Sequence, residues 1–235
     1  MANILESFKE VFSDRFSFFK LAVFAAPIYY CYSVVLKNPR ALSDVLWIIY
    51  LTIFFLLGFL IKTTGNVLNE RDRVLPSLNP FTLAYSAIKG LIAIGPLSAI
   101  SFGLANYAVS FIKIAPEVDM TMKTIIWLLA GAISLTSFLM FVKNEKISDA
   151  YNLKIISEKS PDLMVGVIFF LIQLVIINIP ITGFLWYSLN ILFGIGPILY
   201  AFGAYAIVFN VAVTGHYMAQ LQYEILGLDK DDHML

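Results

Sequence analysis

Six long apolar runs dominate the pattern of hydrophobic and polar positions along this chain. Each is close to the roughly 20 residues that a helix needs to cross the hydrocarbon core of a bilayer. The runs are continuously apolar and do not alternate, which favours α-helices over the strands of a barrel. The pattern therefore predicts an all-α, polytopic membrane helical bundle with six transmembrane helices, at residues 16–36, 45–61, 91–112, 124–142, 163–187 and 191–213.

Three shorter amphipathic stretches each precede a pair of these runs. In each stretch, apolar residues recur at helical spacing on one face and charged residues occupy the other, as in a helix that lies in the membrane interface. Each carries an aromatic residue that we expect to point into the membrane boundary: Phe8, Tyr85 and Tyr151. The three amphipathic interfacial helices are predicted over residues 3–16, 79–89 and 146–159.

The order of these elements predicts three units, each an interfacial helix followed by a transmembrane hairpin. The units cover residues 1–62, 63–143 and 144–223, and a short polar tail covers 224–235, all within a single integral membrane domain, 1–235. The units share little sequence identity, so duplication and convergence on amphipathicity both remain open as explanations.

The composition agrees with a membrane location. Hydrophobic residues make up 60% of the chain and charged residues 14%, and the mean hydropathy is +0.83. A soluble domain of this size could not cover its surface with so few charges. The formal net charge is zero, which gives no case for a nucleic-acid partner.

Basic residues predict the orientation, because loops rich in lysine and arginine stay in the cytoplasm. The longest polar interruption, residues 62–89, carries Lys62, Arg71, Arg73 and Lys89. One side of the predicted bundle has twelve basic residues and the other has four: Lys37, Arg40, Lys113 and Lys123. Both termini are therefore predicted to be cytoplasmic, in the inner (cytoplasmic) membrane of the cell. Lys20, near the start of the first run, is expected to snorkel to the headgroups.

The N-terminus does not read as a cleavable signal peptide. Acidic residues occupy the positions where a basic region should be, and no small-residue cleavage site follows a short apolar core. We expect the chain to keep its N-terminus.

Titratable and nucleophilic residues form no catalytic pattern in the sequence. The single cysteine, Cys31, lies in an apolar run and excludes a cysteine-based zinc site. His233 belongs to the polar tail, and His216 has no cysteine, histidine or aspartate near it in the sequence, so no metal site is expected. The sequence predicts no catalytic residue and no cofactor.

Polar residues inside the apolar runs are the candidate functional positions. Arginine or carboxylate side chains there would indicate ion coupling, but the polar residues are mostly amides and hydroxyls. Two interpretations stay open: hydrogen bonds between helices, or the lining of an intramembrane polar cavity. The candidates for either role are Asn106, Gln173, Asn178, Asn210 and His216.

Small residues recur every four positions in the third run, at Gly95, Ala99 and Gly103. Such spacing lets two helices approach closely. The sequence favours packing inside the protein over a dimer face.

Three segments carry a resemblance to a known family. They are GNVLNERDRVLPSLNPFTLAYSAIKG at 65–90, ISDAYNLKIISEKSPDLMVGVIFF at 147–170 and HYMAQLQYEILG at 216–227. In this pattern the chain resembles a bacterial and archaeal family of multi-pass membrane proteins, a domain of unknown function distantly similar to the membrane domain of some glycerophosphodiester phosphodiesterases. The resemblance implies a polytopic membrane fold and supplies no catalytic residues.

These observations lead to two hypotheses about function. The first is a non-enzymatic membrane protein that acts as a scaffold or as an accessory subunit of a larger membrane complex. The alternative is a transporter or a lipid-handling protein with a polar intramembrane cavity. A membrane enzyme ranks third, because no convergent pair of titratable groups is visible. The expected partners are the lipid bilayer and other membrane protein subunits.

Overall fold

The computed structural model describes residues 2–71, 73–111, 116–194 and 196–226, without the side chains of 116–119 and 177–181. Over these residues the chain is all-α, and six helices are long and apolar enough to cross a membrane. This confirms the predicted fold class and makes the chain an integral, multi-pass membrane protein. The helices are α1 (Ile4–Ser13), α2 (Ser17–Lys37), α3 (Leu42–Leu68), α4 (Pro80–Phe111), α5 (Pro116–Asn144), α6 (Leu153–Phe193) and α7 (Pro197–Leu226).

The helix ends follow local sequence signals. The side chain of Asn3 accepts a hydrogen bond from the amide of Leu5 and caps α1, which satisfies one of the free donors of the first turn. Asn79 caps α4 in the same way, and Pro80 takes the first helical position, where its missing N–H is harmless. The chain turns between α6 and α7 at Gly194, whose φ of 71° favours glycine.

Two of the three amphipathic stretches are not separate helices. Residues 79–89 form the first turns of α4, and residues 146–159 form a short 3₁₀ turn, Asp149–Tyr151, followed by the start of α6. Gly90 and Pro161, residue types that disfavour a helix interior, lie at the two junctions, but α4 and α6 each continue through them into the apolar segment. Only α1 is a separate amphipathic helix among the described residues.

The chain packs as two compact units, whose boundaries fall inside α4, α6 and α7. The first unit contains Asn3–Ala87 and Leu171–Met218. The second contains Met1–Ala2, Ile88–Phe170 and Ala219–Leu235. The predicted repeat units at 1–62, 63–143 and 144–223 have other boundaries and stay a prediction.

In the first unit, close packing joins α3 to its neighbours. The rings of Phe24 and Phe59 meet at 4.9 Å between α2 and α3. Gly58 faces the backbone carbonyl of Leu83 so closely that a Cβ would overlap it. Gly215 of α7 lies where a Cβ would be 3.2 Å from Thr63. Glycine thus brings two other helices close to α3.

The aromatic face of α1 packs on α7. The ring centroid of Phe209 lies 5.1 Å from that of Phe8 and 4.5 Å from that of Phe12. Ile4 and Val11 are buried on the same side. Phe8 is half-buried in this contact, and its place in the membrane boundary stays a prediction. Tyr85 is exposed, and its place in a membrane boundary stays a prediction.

Hydroxyl groups link the helices of the second unit. Ser101 of α4 lies 3.3 Å from Ser134 of α5, and Thr136 of α5 lies 3.1 Å from Ser160 of α6. The Tyr151 hydroxyl donates a 2.8 Å hydrogen bond to a backbone carbonyl of α4. These contacts agree with the interpretation that polar groups in the spans bond between helices.

Candidate functional site

A cavity of about 460 Å³ opens in the first unit at the polar end of α3. Three elements build it: the last turns of α3, the connecting segment after it, and the first turn of α4. We call it the basic cavity, because three of its lining side chains are cationic. The lining residues are Lys62, Asn66, Arg71, Arg73, Leu75, Pro76, Ser77, Thr82 and Leu83.

Asn66 fixes the connecting segment at the edge of this cavity. Its side-chain amide donates to the carbonyl of Val74 at 3.3 Å, and its side-chain oxygen accepts from the guanidinium of Arg71 at 3.1 Å. The backbone amide of Arg71 also donates to the carbonyl of Asn66 at 3.0 Å. Glu70 takes a left-handed conformation, with φ of 48°, at the turn. The turn and the two bonds to Asn66 hold Arg71 in the lining of the cavity.

A buried ion pair fastens the other side of the segment. The ammonium of Lys20 lies 2.8 Å from a carboxylate oxygen of Asp14 and donates to the carbonyl of Leu75 at 2.9 Å. The amide of Leu75 donates to the second oxygen of Asp14 at 3.0 Å. The side chains of Lys20 and Asp14 are 8% and 0% exposed. Lys20 therefore does not snorkel as expected, because a buried carboxylate holds it inside the protein.

The charged side chains that line the basic cavity are all positive. Among the described residues that line it, three are basic and none is acidic. Asp14, which contacts the same segment, is paired with Lys20. Thr82, in the first turn of α4, also lines the cavity, and the N-terminal end of a helix carries partial positive charge. This arrangement favours an anion.

An apolar cavity of about 260 Å³ adjoins the basic cavity. Leu83 lines both cavities, and Leu78 and Pro80 of the apolar lining lie along the chain between Ser77 and Thr82 of the basic lining. We call this second space the apolar groove. Its other walls come from α2 and α3: Val23, Phe24, Pro27, Ile48, Leu51, Thr52 and Phe55.

His216 has a partner that its sequence neighbours do not supply. Its Nδ1 lies 3.0 Å from the hydroxyl oxygen of Ser7, across 209 residues of sequence. A serine beside a histidine resembles a nucleophile with its base, but Ser7 is 0% exposed, and a nucleophile must reach its substrate. The pair therefore fastens α1 to α7. No local pattern signals a contact of this sequence separation.

The other predicted site residues have different surroundings. The side-chain oxygen of Gln173 accepts a 3.4 Å hydrogen bond from the amide of Ile4 at the start of α1. Asn210 donates to a carbonyl of its own helix. Asn106 belongs to the second unit and is exposed, whereas the side chain of Asn178 lies outside the described residues. Asn106, Gln173 and Asn210 do not line the basic cavity or the apolar groove.

One face of α4 is open in the second unit. Ala99 and Gly103 are exposed, and a Cβ placed at Gly95 or Gly103 would meet no neighbouring atom within 4 Å. Asn106 follows at helical spacing on the same face. Ser101 and Ala105 are buried on the opposite side. The small residues predicted to pack inside the protein thus have no neighbour within their unit.

Comparison of the chain with protein families, with curated proteins and with solved structures found no match. The described residues hold no group of three or more histidine, cysteine, aspartate or glutamate side chains placed to bind a metal ion.

Proposed function

We propose that this integral membrane protein is a non-enzymatic scaffold or an accessory subunit of a larger membrane complex. The observation that carries the proposal is the open face of α4, where Gly95, Ala99 and Gly103 line up with Asn106. We infer that a transmembrane helix of another subunit packs on this face.

Small residues in a membrane helix favour close helix association. Without a hydrophobic driving force between helices in lipid, association depends on backbone approach and on interhelical hydrogen bonds. Glycine and alanine at four-residue spacing allow that approach along two turns of α4. Neighbouring lipid chains gain less from such a flat groove than a second helix does.

Asn106 supplies the second argument. Its amide lies five residues before the end of α4 at Phe111, about 7.5 Å along the axis, inside the apolar run. The structure gives it no hydrogen bond within the described part of the chain. A polar amide left without a partner in hydrocarbon is unfavourable, and a facing helix can bond to it with about 1 kcal/mol.

The polar groups elsewhere in the spans support a structural role over transport. Ser101, Ser134, Thr136 and Ser160 bond from helix to helix. Gln173 is engaged with α1. Side chains that are used in packing leave fewer groups to line a path through the bilayer.

The proposal is tested by purifying the tagged protein from its native membranes in mild detergent. We expect the wild type to elute as an assembly larger than a monomer, and Gly103→Ile or Asn106→Leu to release it as a monomer. Gly183→Ile is the matched control, because Gly183 is also exposed with no atom near a Cβ, and it should leave the assembly intact. A wild-type protein that always elutes alone and monomeric contradicts the proposal.

A further inference from the structure

We propose that the basic cavity binds the phosphate group of an anionic membrane lipid, whose acyl chain lies in the apolar groove. This site belongs to the first unit and is independent of the helix-docking face of α4. The inference rests on the charge of the cavity, on the groove that adjoins it, and on the position of both along α3.

The side chains that line the basic cavity are suited to an anion. Lys62, Arg71 and Arg73 line it together with the hydroxyl-bearing Ser77 and Thr82. Guanidinium and hydroxyl groups are the donors that bind phosphate oxygens in proteins. Glu70 does not line the cavity, and Asp72 lies outside the described residues.

The wall of the basic cavity is already fixed before any ligand binds. Arg71 is already oriented by Asn66, and Leu75 and its neighbour Pro76 are buried under the Asp14–Lys20 pair. Binding to a wall that is fixed in advance loses less conformational entropy. A volume of about 460 Å³ also falls within the usual range of small-molecule sites.

The apolar groove selects a lipid over a free phosphate compound. Its lining is apolar except for Thr52, whose hydroxyl donates to the carbonyl of Ile48 in its own helix. Leu83 forms a common wall with the basic cavity. A molecule that fills both spaces must have a charged head directly joined to an apolar chain. Among membrane components, an anionic phospholipid has this form.

The position along α3 agrees with the depth of a headgroup. Lys62 follows immediately after the apolar run 45–61, and the groove residues Ile48, Leu51 and Phe55 lie within that run. Basic residues at the ends of membrane helices sit at headgroup level and attract anionic lipids. The cavity thus meets the phosphate layer while the groove runs along the acyl chains.

Native mass spectrometry of the detergent-purified full chain tests the site. The protein is titrated with phosphatidylglycerol and, separately, with phosphatidylcholine of the same acyl chains. We expect the anionic lipid to bind more tightly, and Arg73→Gln to weaken its binding about five- to tenfold. The double variant Arg71→Gln/Arg73→Gln should weaken it further. The matched control is Lys37→Gln/Arg40→Gln, which removes two charges at the other end of the same hairpin and should leave the affinity unchanged.

Two further experiments distinguish a phospholipid from a water-soluble phosphate compound as the ligand. Glycerol phosphate should compete poorly, and Leu51→Trp, which fills the groove, should weaken long-chain phosphatidylglycerol but not a short-chain form. Equal binding of the two lipids overturns the proposal, as does equal loss in the Lys37 and Arg40 control. Strong competition by glycerol phosphate together with no effect of Leu51→Trp rejects a lipid as the ligand. Melting temperatures in the same detergent show that Arg73→Gln is folded, and Arg73→Lys should restore most of the binding.

Discussion

The carboxylate of Asp14 and the ammonium of Lys20 are both withdrawn from solvent at the corner between α1 and α2. Removing two charges from water is unfavourable unless each gains further hydrogen bonds. Here each gains one from Leu75, through its amide and its carbonyl. The pair therefore does more than join two neighbouring helices: it fixes a segment 55 residues further along the chain.

Breaking this pair from one side should be more harmful than removing it altogether. We expect Lys20→Met to destabilise the protein by about 3–5 kcal/mol, because it leaves the buried carboxylate of Asp14 without its counter-charge. Asp14→Asn/Lys20→Met should be less destabilised than Lys20→Met alone. Thermal unfolding in detergent measures the order of stability of these variants. Lys154→Met, at an exposed position, is the control. A double variant less stable than Lys20→Met would contradict this account.

At the scale of single residues, sequence alone identifies local roles and misses distant partners. The caps at Asn3 and Asn79 follow from neighbours two or three positions away. The sequence predicts Lys20 at the headgroups, because its partner Leu75 is 55 residues distant and no local pattern reveals it. Sequence alone misses the partner of His216 for the same reason, since Ser7 is at the other end of the chain.

At the scale of elements, the crossing of α3 and α4 depends on one missing side chain. Gly58 faces the carbonyl of Leu83 with no space for a Cβ. The contact lies in the first turn of α4, next to the residues that line the basic cavity. The distance between the two helices therefore sets the shape of that cavity.

Gly58→Ala should separate these helices. In most helical positions alanine is more favourable than glycine by roughly 0.5–1 kcal/mol, but here overpacking should cost about 1–3 kcal/mol. The sign of the stability change is thus reversed relative to Gly183→Ala, whose Cβ meets nothing within 4 Å. Melting temperatures of the two variants test this; equal shifts would mean that the close approach of α3 and α4 is not needed for stability.

At the same scale, the length of the apolar runs predicts the six spans, but the polarity pattern does not show that two amphipathic stretches continue into the following helix. All six spans coincide with apolar runs, because lipid requires uninterrupted helices of that length. Sequence alone separates the amphipathic starts of α4 and α6 from their spans, because the change of polarity resembles a boundary. The backbone continues there, since polarity of the side chains does not interrupt helical hydrogen bonds. The basic cavity needs three elements together, and sequence identified only its cations.

At the scale of the whole molecule, we propose that both termini and the basic cavity face the cytoplasm. The uneven distribution of lysine and arginine supports this orientation. A reporter fused after Arg40 or Asn190 should behave as external, and one after Arg73 or Glu145 as cytoplasmic. Alkaline phosphatase and fluorescent protein fusions measure the two sides. A cytoplasmic result at Asn190 together with an external result at Glu145 would overturn the orientation.

The packing of α1 against residues late in the chain has a consequence for biosynthesis. The first helix rests on Gln173, Phe209 and His216, which follow it by 169 to 209 residues. Since a ribosome adds about 5–20 residues per second, α1 leaves the ribosome about 10 to 40 s before its last partner exists. During synthesis its phenylalanines have only the bilayer surface to cover them. We therefore expect α1 to lie on the bilayer surface in the nascent chain, before it packs on α7 in the finished protein.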